Sequence, residues 1–314
     1  MSKSINITLV GFGNVGATLA LLLLNSSHAN RRVCLNIIEP DSNSVGGLLD
    51  LAHGLSLYPY AELVLNQAKH FQSSDFIFYT AGIPNAPGAS RLSKANENVE
   101  LVKRVFQGIR FKHQPYIIVI TNPVDLISEA IHRFTNLPEN KVLGTGTFLD
   151  AIRLEYYLSD LSKCPLADIE AMVLGEHGNS QVPIFSQTKV KGASVLEIPE
   201  FTTEILSQAE SLTKNASTKI RETQEGTRFG VAKCAETLMN YILDGKRHDL
   251  CVSLLTNSYY RNLLGISRDV YLSLPVCINQ GKVYVKEGID FSEAELKSLK
   301  ESASKLLTYS ASLL

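Results

Sequence analysis

Over the first 146 residues, short apolar runs with few charges alternate with longer amphipathic stretches. This alternation restricts the fold more than any other feature of the chain. The runs are INITLV (5–10), RVCLNIIE (32–39), DFIFYTAG (75–82), YIIVITNP (116–123) and KVLGTG (141–146). A strand held between two layers of helix has no solvent side, so it reads as a nearly continuous apolar run. Helical patterns lie between the runs, at 14–25, 43–57, 90–112 and 125–135. Strand and helix in turn imply a parallel sheet covered on both faces. Beyond about residue 145 the order changes. A helix is expected over 148–160, short strands near 169–174 and 189–193, and a long helical stretch over 203–243. Strands follow near 249–255, 269–275 and 282–286, and an amphipathic helix over 291–312. The chain therefore reads as two tightly packed units: residues 1–145 as a doubly wound α/β domain, and residues 146–314 as a mixed α+β domain.

The first strand runs into GFGNVG, a GxGxxG turn at Gly11, Gly13 and Gly16, with Asn14 and Val15 opening the helix that follows. In a strand–turn–helix setting the three glycines have separate duties. The first permits the tight turn, the second lets the backbone approach a pyrophosphate, and the third lets helix and sheet pack closely. The helix N-terminus then offers unpaired N–H groups and a partial positive charge to phosphate. This makes the first unit a Rossmann-type dinucleotide site. Glu39 ends the second strand, where its carboxylate can accept a ribose diol and repel a 2′-phosphate, so NAD is favoured over NADP. Asp41, beyond Pro40, is the alternative acceptor, and a solvated strand end is the plainer reading of Glu39.

Composition excludes several other classes. Thirty Lys and Arg against 31 Asp and Glu leave a net charge of −1, with no basic run to hold a nucleic acid. No run has the length of a membrane span. The start enters a strand directly and carries no secretory pattern. Five cysteines without a CxxC pair fit a reducing cytoplasm rather than a disulfide framework, and no metal-ligand spacing is present.

In LGTGTFLDAIRLEYYLS (143–159), Asp150 and Arg153 are three residues apart on an expected helix and share a face. Alone the pair reads as a surface ion pair. Arg153 is also suited to a carboxylate, because a guanidinium presents two parallel donors. VLGEHGNSQVP (173–183) places His177 on a glycine-flanked loop after an apolar run. Taken in order, GFGNVG, TAGIPNAPGASR, ITNPVD, GTGTFLDAIR and GEHGNS resemble the lactate/malate dehydrogenase family, over essentially the whole chain.

The resemblance implies an NAD-dependent 2-hydroxy-acid dehydrogenase and a set of roles. His177 gives and takes the substrate proton, Asp150 is its carboxylate partner, and Arg153 clamps the C1 carboxylate. Arg91, on a loop with Pro84, Pro87 and Gly88, polarises the substrate carbonyl. Asn122 lies beside the nicotinamide ribose and the substrate. Thr80, Ala81 and Gly82 pass under the cofactor. The chemistry agrees with these roles: reduction of a 2-oxo acid needs a hydride at carbon and a proton at oxygen, and a histidine titrates near neutrality. A carboxylate beside the ring favours its charged form. A homodimer or homotetramer is also implied. The alternative within this chemistry is malate dehydrogenase. The alternative outside it is a nucleotide-binding protein that has lost activity, which has no need of Arg91, Asp150, Arg153 and His177 together.

Specificity is expected at Asn85 and Thr227. Lactate enzymes of the family carry glutamine at the position of Asn85 and malate enzymes carry arginine. A neutral Asn85 leaves a second substrate carboxylate unpaired, at a cost of roughly several kcal/mol. Thr227 matches the lactate pattern. Arg228 follows it and, on a helix, points about 100° away, toward a role in an interface salt bridge. A 2-oxo monocarboxylate, pyruvate first, is therefore expected. Asn179 stands where the family has aspartate, without a functional account. Some bacterial relatives bind fructose 1,6-bisphosphate through an arginine and a histidine whose positions here hold Glu155 and Glu170. Two carboxylates repel its phosphates, so assays with and without this bisphosphate should give the same rate; a severalfold rise on addition would contradict the assignment.

Overall fold

The computed structural model describes residues 3–83 and 94–313. Its first half runs β1 (Lys3–Val10), α1 (Asn14–Asn25), β2 (Arg31–Ile38), α2 (Val45–His53), β3 (Ala61–Leu65), α3 (Ala68–Gln72) and β4 (Phe76–Tyr79). It continues with α4 (Ala95–Phe106), β5 (Tyr116–Val119), α5 (Val124–Thr135) and β6 (Val142–Gly144). These strands pair in parallel in the order β3-β2-β1-β4-β5-β6. Every residue of β4, β5 and β6 is buried, which is why their sequences carry no polar alternation. Alternate side chains feed two cores. Ile5, Ile7 and Leu9 pack with Leu19, Leu23 and Leu24 of α1 on one face. Val10, Ile77 and Tyr79 pack with Val99 and Val102 of α4 and Ile127 and Ile131 of α5 on the other. The doubly wound arrangement expected from the sequence is the observed one, and α1 spans the expected residues. The edge strand β3 and the short α3 are additions. Half-exposed and carrying Glu62, β3 lacks the apolar run that marks its neighbours.

The second half begins with α6 (Phe148–Ser162), β7 (Ile169–Glu170), β8 (Val173–Gly175), β9 (Gln181–Pro183), β10 (Lys189–Val190) and β11 (Ala193–Ser194). Then come α7 (Thr203–Arg221), α8 (Phe229–Asp244), β12 (His248–Leu255), α9 (Ser258–Leu264), β13 (Tyr271–Asn279), β14 (Lys282–Val285) and α10 (Glu293–Leu313). The large sheet does not stop at residue 145. Strand β12 joins β6 in antiparallel fashion at Ser253 and Gly144, and β13, β8 and β9 extend the sheet, with β14 on β13. Among the described residues it has 11 strands, and β11, β10 and β7 form a separate sheet of three.

Three expectations are corrected here. The stretch 169–174 is two strands in two sheets rather than one. Residues 189–193 form a hairpin that turns at Lys191 and Gly192, both with positive φ. The helical stretch 203–243 is broken between Arg221 and Phe229, with Gly226 at φ +97° inside the break. Thr227 and Arg228 therefore precede α8 and are not adjacent positions of a helix.

The turn after β1 depends on Gly11. Its φ is +93°, and a Cβ there would lie 2.6 Å from the Ala81 nitrogen, just past the end of β4. Backbone cannot yield as a side-chain tip can. Gly11→Ala should lower unfolding stability by about 2–4 kcal/mol in urea followed by circular dichroism. It should also abolish the NADH fluorescence enhancement. Wild-type stability and binding would show that the turn tolerates a side chain.

Candidate active site

The glycine turn sits where the strand order reverses, between the C-terminal ends of β1 and β4, the usual ligand crevice of such sheets. Gly16 holds α1 against the turn, since a Cβ there would fall 2.3 Å from the Gly11 carbonyl oxygen. The Thr80 hydroxyl secures the other side by donating to the Val10 and Gly11 carbonyls, at 3.0 Å each. Thr121 Oγ1 donates to the Ala81 carbonyl at 2.8 Å, and a Cβ on Gly82 would meet the Thr121 methyl at 2.7 Å. Gly13, by contrast, faces open space, with no described residue beyond its chain neighbours within 4 Å of a built Cβ. It is the N-cap of α1, and no side chain caps the helix there. Open room over uncapped amides fits a dinucleotide pyrophosphate. Glu39 stands at the same crevice. One carboxylate oxygen accepts the Phe12 N–H at 2.8 Å and the other accepts the Asp41 N–H at 2.9 Å. Each oxygen keeps a lone pair for a ribose hydroxyl.

Asp150 lies in the first turn of α6, where the helix dipole favours an anion, and is 2% exposed. Its two oxygens are divided. Oδ2 is 2.7 Å from His177 Nδ1, and Oδ1 accepts from Arg153 Nη1 at 3.1 Å. Burial alone would push the carboxyl up. The facing imidazole, the hydrogen bond from it and the Arg153 guanidinium hold it below its ordinary value. An ionised carboxylate only accepts, so Nδ1 carries the hydrogen and the ring tautomer is set.

The loop bearing His177 is pinned on several sides. Gly175, at φ +92°, ends β8 and leaves no room for a side chain beside Ser302. The Glu176 N–H donates to Ser302 Oγ of α10 at 2.8 Å. The His177 N–H donates to Asp125 Oδ2 of α5 at 3.0 Å, and Ser253 Oγ of β12 donates to Asp125 Oδ1 at 2.6 Å. Asp125 and these serines were not singled out from sequence.

A cavity of about 220 Å³ opens beside the ring, and Val15, Asn122, Arg153, His177 and Thr227 are among the residues that line it. Five positions expected at the site, from Val15 to Thr227, thus meet in one space. Arg221, the last residue of α7, lines it too and was not anticipated. Its guanidinium makes no ion pair or hydrogen bond among the described residues, and the cavity wall holds two arginines and no carboxylate. Arg228 is absent from that wall. It lies against the Phe229 ring at 4.9 Å, and its buried Nε has no hydrogen-bond partner among the described residues. A second cavity of about 490 Å³, which His177 also lines, is bounded by Asp125, Glu176, Asn179, Lys305 and Tyr309 among others. Asn85 and Arg91 lie outside the described residues. Glu155 and Glu170 are neighbours elsewhere: Glu155 accepts the Ala171 N–H at 3.1 Å, and burial and then the Glu170 charge push its carboxyl up.

A glycine-turn crevice at the switch point of a doubly wound sheet, opening beside a carboxylate-held imidazole, defines a dinucleotide-dependent oxidoreductase. The family models agree. Residues 5–144 match the lactate/malate dehydrogenase NAD-binding domain, and residues 147–311 match the alpha/beta C-terminal domain of the same family. The chain belongs to the lactate/malate dehydrogenase family, the NAD-dependent oxidoreductases of 2-hydroxy acids. It is 28% identical over 306 residues to L-lactate dehydrogenase 1 of Peribacillus psychrosaccharolyticus, covering 96% of this chain and 94% of that protein. It is 27% identical, with the same coverage, to L-lactate dehydrogenase of Clostridium botulinum. Two solved structures share its fold. The minor L-lactate dehydrogenase of Enterococcus mundtii has a TM-score of 0.88 at 23% identity over 99% of both chains. Malate dehydrogenase of Plasmodium falciparum has a TM-score of 0.86 at 22% identity over 98% of both. Among the described residues, no helix is long and apolar enough to cross a membrane, and no cluster of ligating side chains could hold a metal ion.

The divided carboxylate has a measurable consequence. Asp150→Asn removes the anion from between an arginine and an imidazole, which should destabilise the fold by about 2–3 kcal/mol at pH 7. The folded carboxyl titrates below its unfolded value of about 3.9. Its stabilisation is therefore present above that pH and lost as the pH falls through the folded value. Urea melts should show the deficit at neutral pH and see it shrink below about pH 4; a deficit that does not change with pH would contradict this.

Proposed function

We propose that this chain interconverts a 2-oxo acid and its 2-hydroxy acid with His177 as the proton carrier. The observation that carries the reading is the 2.7 Å contact from His177 Nδ1 to Asp150, with Arg153 on the other Asp150 oxygen and both cations facing one cavity. NADH, when bound, supplies the hydride. Gly11, Gly13, Asn14, Val15, Gly16 and Glu39, with Thr80, Ala81 and Gly82, hold it in the crevice, within residues 1–145. Arg153 takes the substrate C1 carboxylate through two parallel donors. That grip places the carbonyl oxygen toward His177 Nε2, the ring nitrogen opposite Asp150. Asp150 keeps the ring in one tautomer and stabilises its charged form, which then passes its proton to the oxygen. Arg91 polarises the carbonyl, Asn122 orients it, and Asn85 and Thr227 set the room for its side group. The working form is a cytoplasmic homodimer or homotetramer.

The leading substrate is a 2-oxo monocarboxylate, pyruvate first, because Asn85 brings no charge to a second carboxylate. One observation favours a second reading. Arg221, with no ion pair among the described residues, adds a cation to the same cavity, where an acid with a second carboxylate, such as oxaloacetate, would pair with it.

The two readings separate in a panel of pyruvate, 2-oxobutyrate and oxaloacetate, scored as kcat/KM by NADH absorbance. The monocarboxylate reading expects pyruvate or 2-oxobutyrate to lead and Arg221→Ala to leave that order unchanged. A lead for oxaloacetate that Arg221→Ala removes establishes the other. His177→Gln should lower kcat by about 10²–10⁴-fold while NADH still binds. NADH binding by the wild-type protein without turnover of any oxo acid would leave a binding protein instead of an enzyme.

A further inference from the structure

Asp125 belongs to none of the roles above, yet it is 3% exposed and touches the catalytic loop directly. It sits in the first turn of α5, three residues after Asn122, with both oxygens engaged. One accepts the backbone N–H of His177 at 3.0 Å and the other accepts Ser253 Oγ at 2.6 Å. The His177 residue is thus held between two buried carboxylates, Asp150 at its ring and Asp125 at its peptide. A side chain needed only to fill this space would be apolar, and one needed only to accept an N–H would be neutral. A buried carboxylate is the costly choice unless its charge has a use.

We infer that Asp125 is a positioning residue for proton transfer: it fixes the His177 peptide and supplies a second anion that favours the charged imidazole. The groups that face it are consistent with this. From the catalytic loop, the His177 ring attracts its charge and Glu176 opposes it. From β12 it meets only the Ser253 hydroxyl. Across the cavity stand Lys305 and Tyr309 of α10. On α5 itself, Glu129 is committed to Arg133 and Arg268. Burial pushes the Asp125 carboxyl up to about 6, against the hydrogen bonds from Ser253 and His177 that lower it. It therefore changes charge not far below neutral pH.

The inference rests on His177 being the proton donor, and the test keeps the two apart. The profile of kcat/KM against pH for oxo-acid reduction falls as the free ring loses its proton. Asp125→Asn keeps the shape and an acceptor but removes the anion. The charged ring is then less favoured, so the midpoint should move to lower pH by about half a unit or more. NADH binding should match the wild type, which serves as the check on folding. A lower rate at every pH with the midpoint unmoved marks a merely structural residue and overturns the inference, as does a profile that superimposes on the wild type. Should Asp125→Asn fail to bind NADH, Ser253→Ala carries the test. It removes one donor that favours the Asp125 anion, and should shift the midpoint the same way by less; an unmoved midpoint there overturns the inference. If wild-type protein reduces no 2-oxo acid, the parent reading fails first and this one with it.

Discussion

The site is organised by one carboxylate shared between an imidazole and a guanidinium. Asp150 gives separate oxygens to His177 and Arg153, almost out of contact with water. Neither contact would be worth much at a surface, where solvent competes for both partners. Buried, each fixes the other. The oxygen committed to Arg153 limits how the carboxylate can turn, and the oxygen left over dictates which ring nitrogen bears hydrogen. The imidazole and the guanidinium are thereby set at a constant relative position by a single side chain.

That arrangement needs a scaffold that brings distant parts of the chain to one point, and the continuous sheet provides it. Strand β6 ends the parallel half and β12 begins the antiparallel half, side by side. The helices that follow β5 and β6 start at this seam, so α5 presents Asp125 and α6 presents Asp150 from their first turns. Gly144 and Gly146 make the seam tight, with Ser253 packed against both, 2.9 Å and 3.2 Å from where Cβ atoms would sit. The Ser253 hydroxyl then reaches Asp125. Backbone packing and site geometry meet in the same few residues.

The parallel half was legible in the sequence because complete burial removes polar residues from a strand and leaves an apolar run. Where burial is partial the signal fades: β3, at the edge and carrying Glu62, was invisible. The break before α8 was missed because 222–227 is polar and only Gly226 interrupts it, while the hairpin at Lys191 and Gly192 left a turn signal that was read as part of a strand. His177, Asp150 and Arg153 were legible as parts of motifs whose order carries information. Asp125 lay inside a recognised motif, but its partners are 52 and 128 residues away, and no local pattern encodes them. Arg221 reads as an ordinary charge at a helix end, and only the cavity wall reveals it. The pair Thr227 and Arg228 shows the converse error, a correct periodicity applied to residues that precede the helix.

The final helix has duties beyond closing the core. Ser302 receives the Glu176 N–H at the base of the His177 loop, and Ser310, two turns on, donates to Glu129 of α5 at 2.7 Å. The tail thus clasps both elements that flank the imidazole. A molecule clipped within α10 would keep the crevice for its dinucleotide and lose the posture of its histidine. Nicking at the far end of the chain would loosen the seat of that ring without touching the glycine turn.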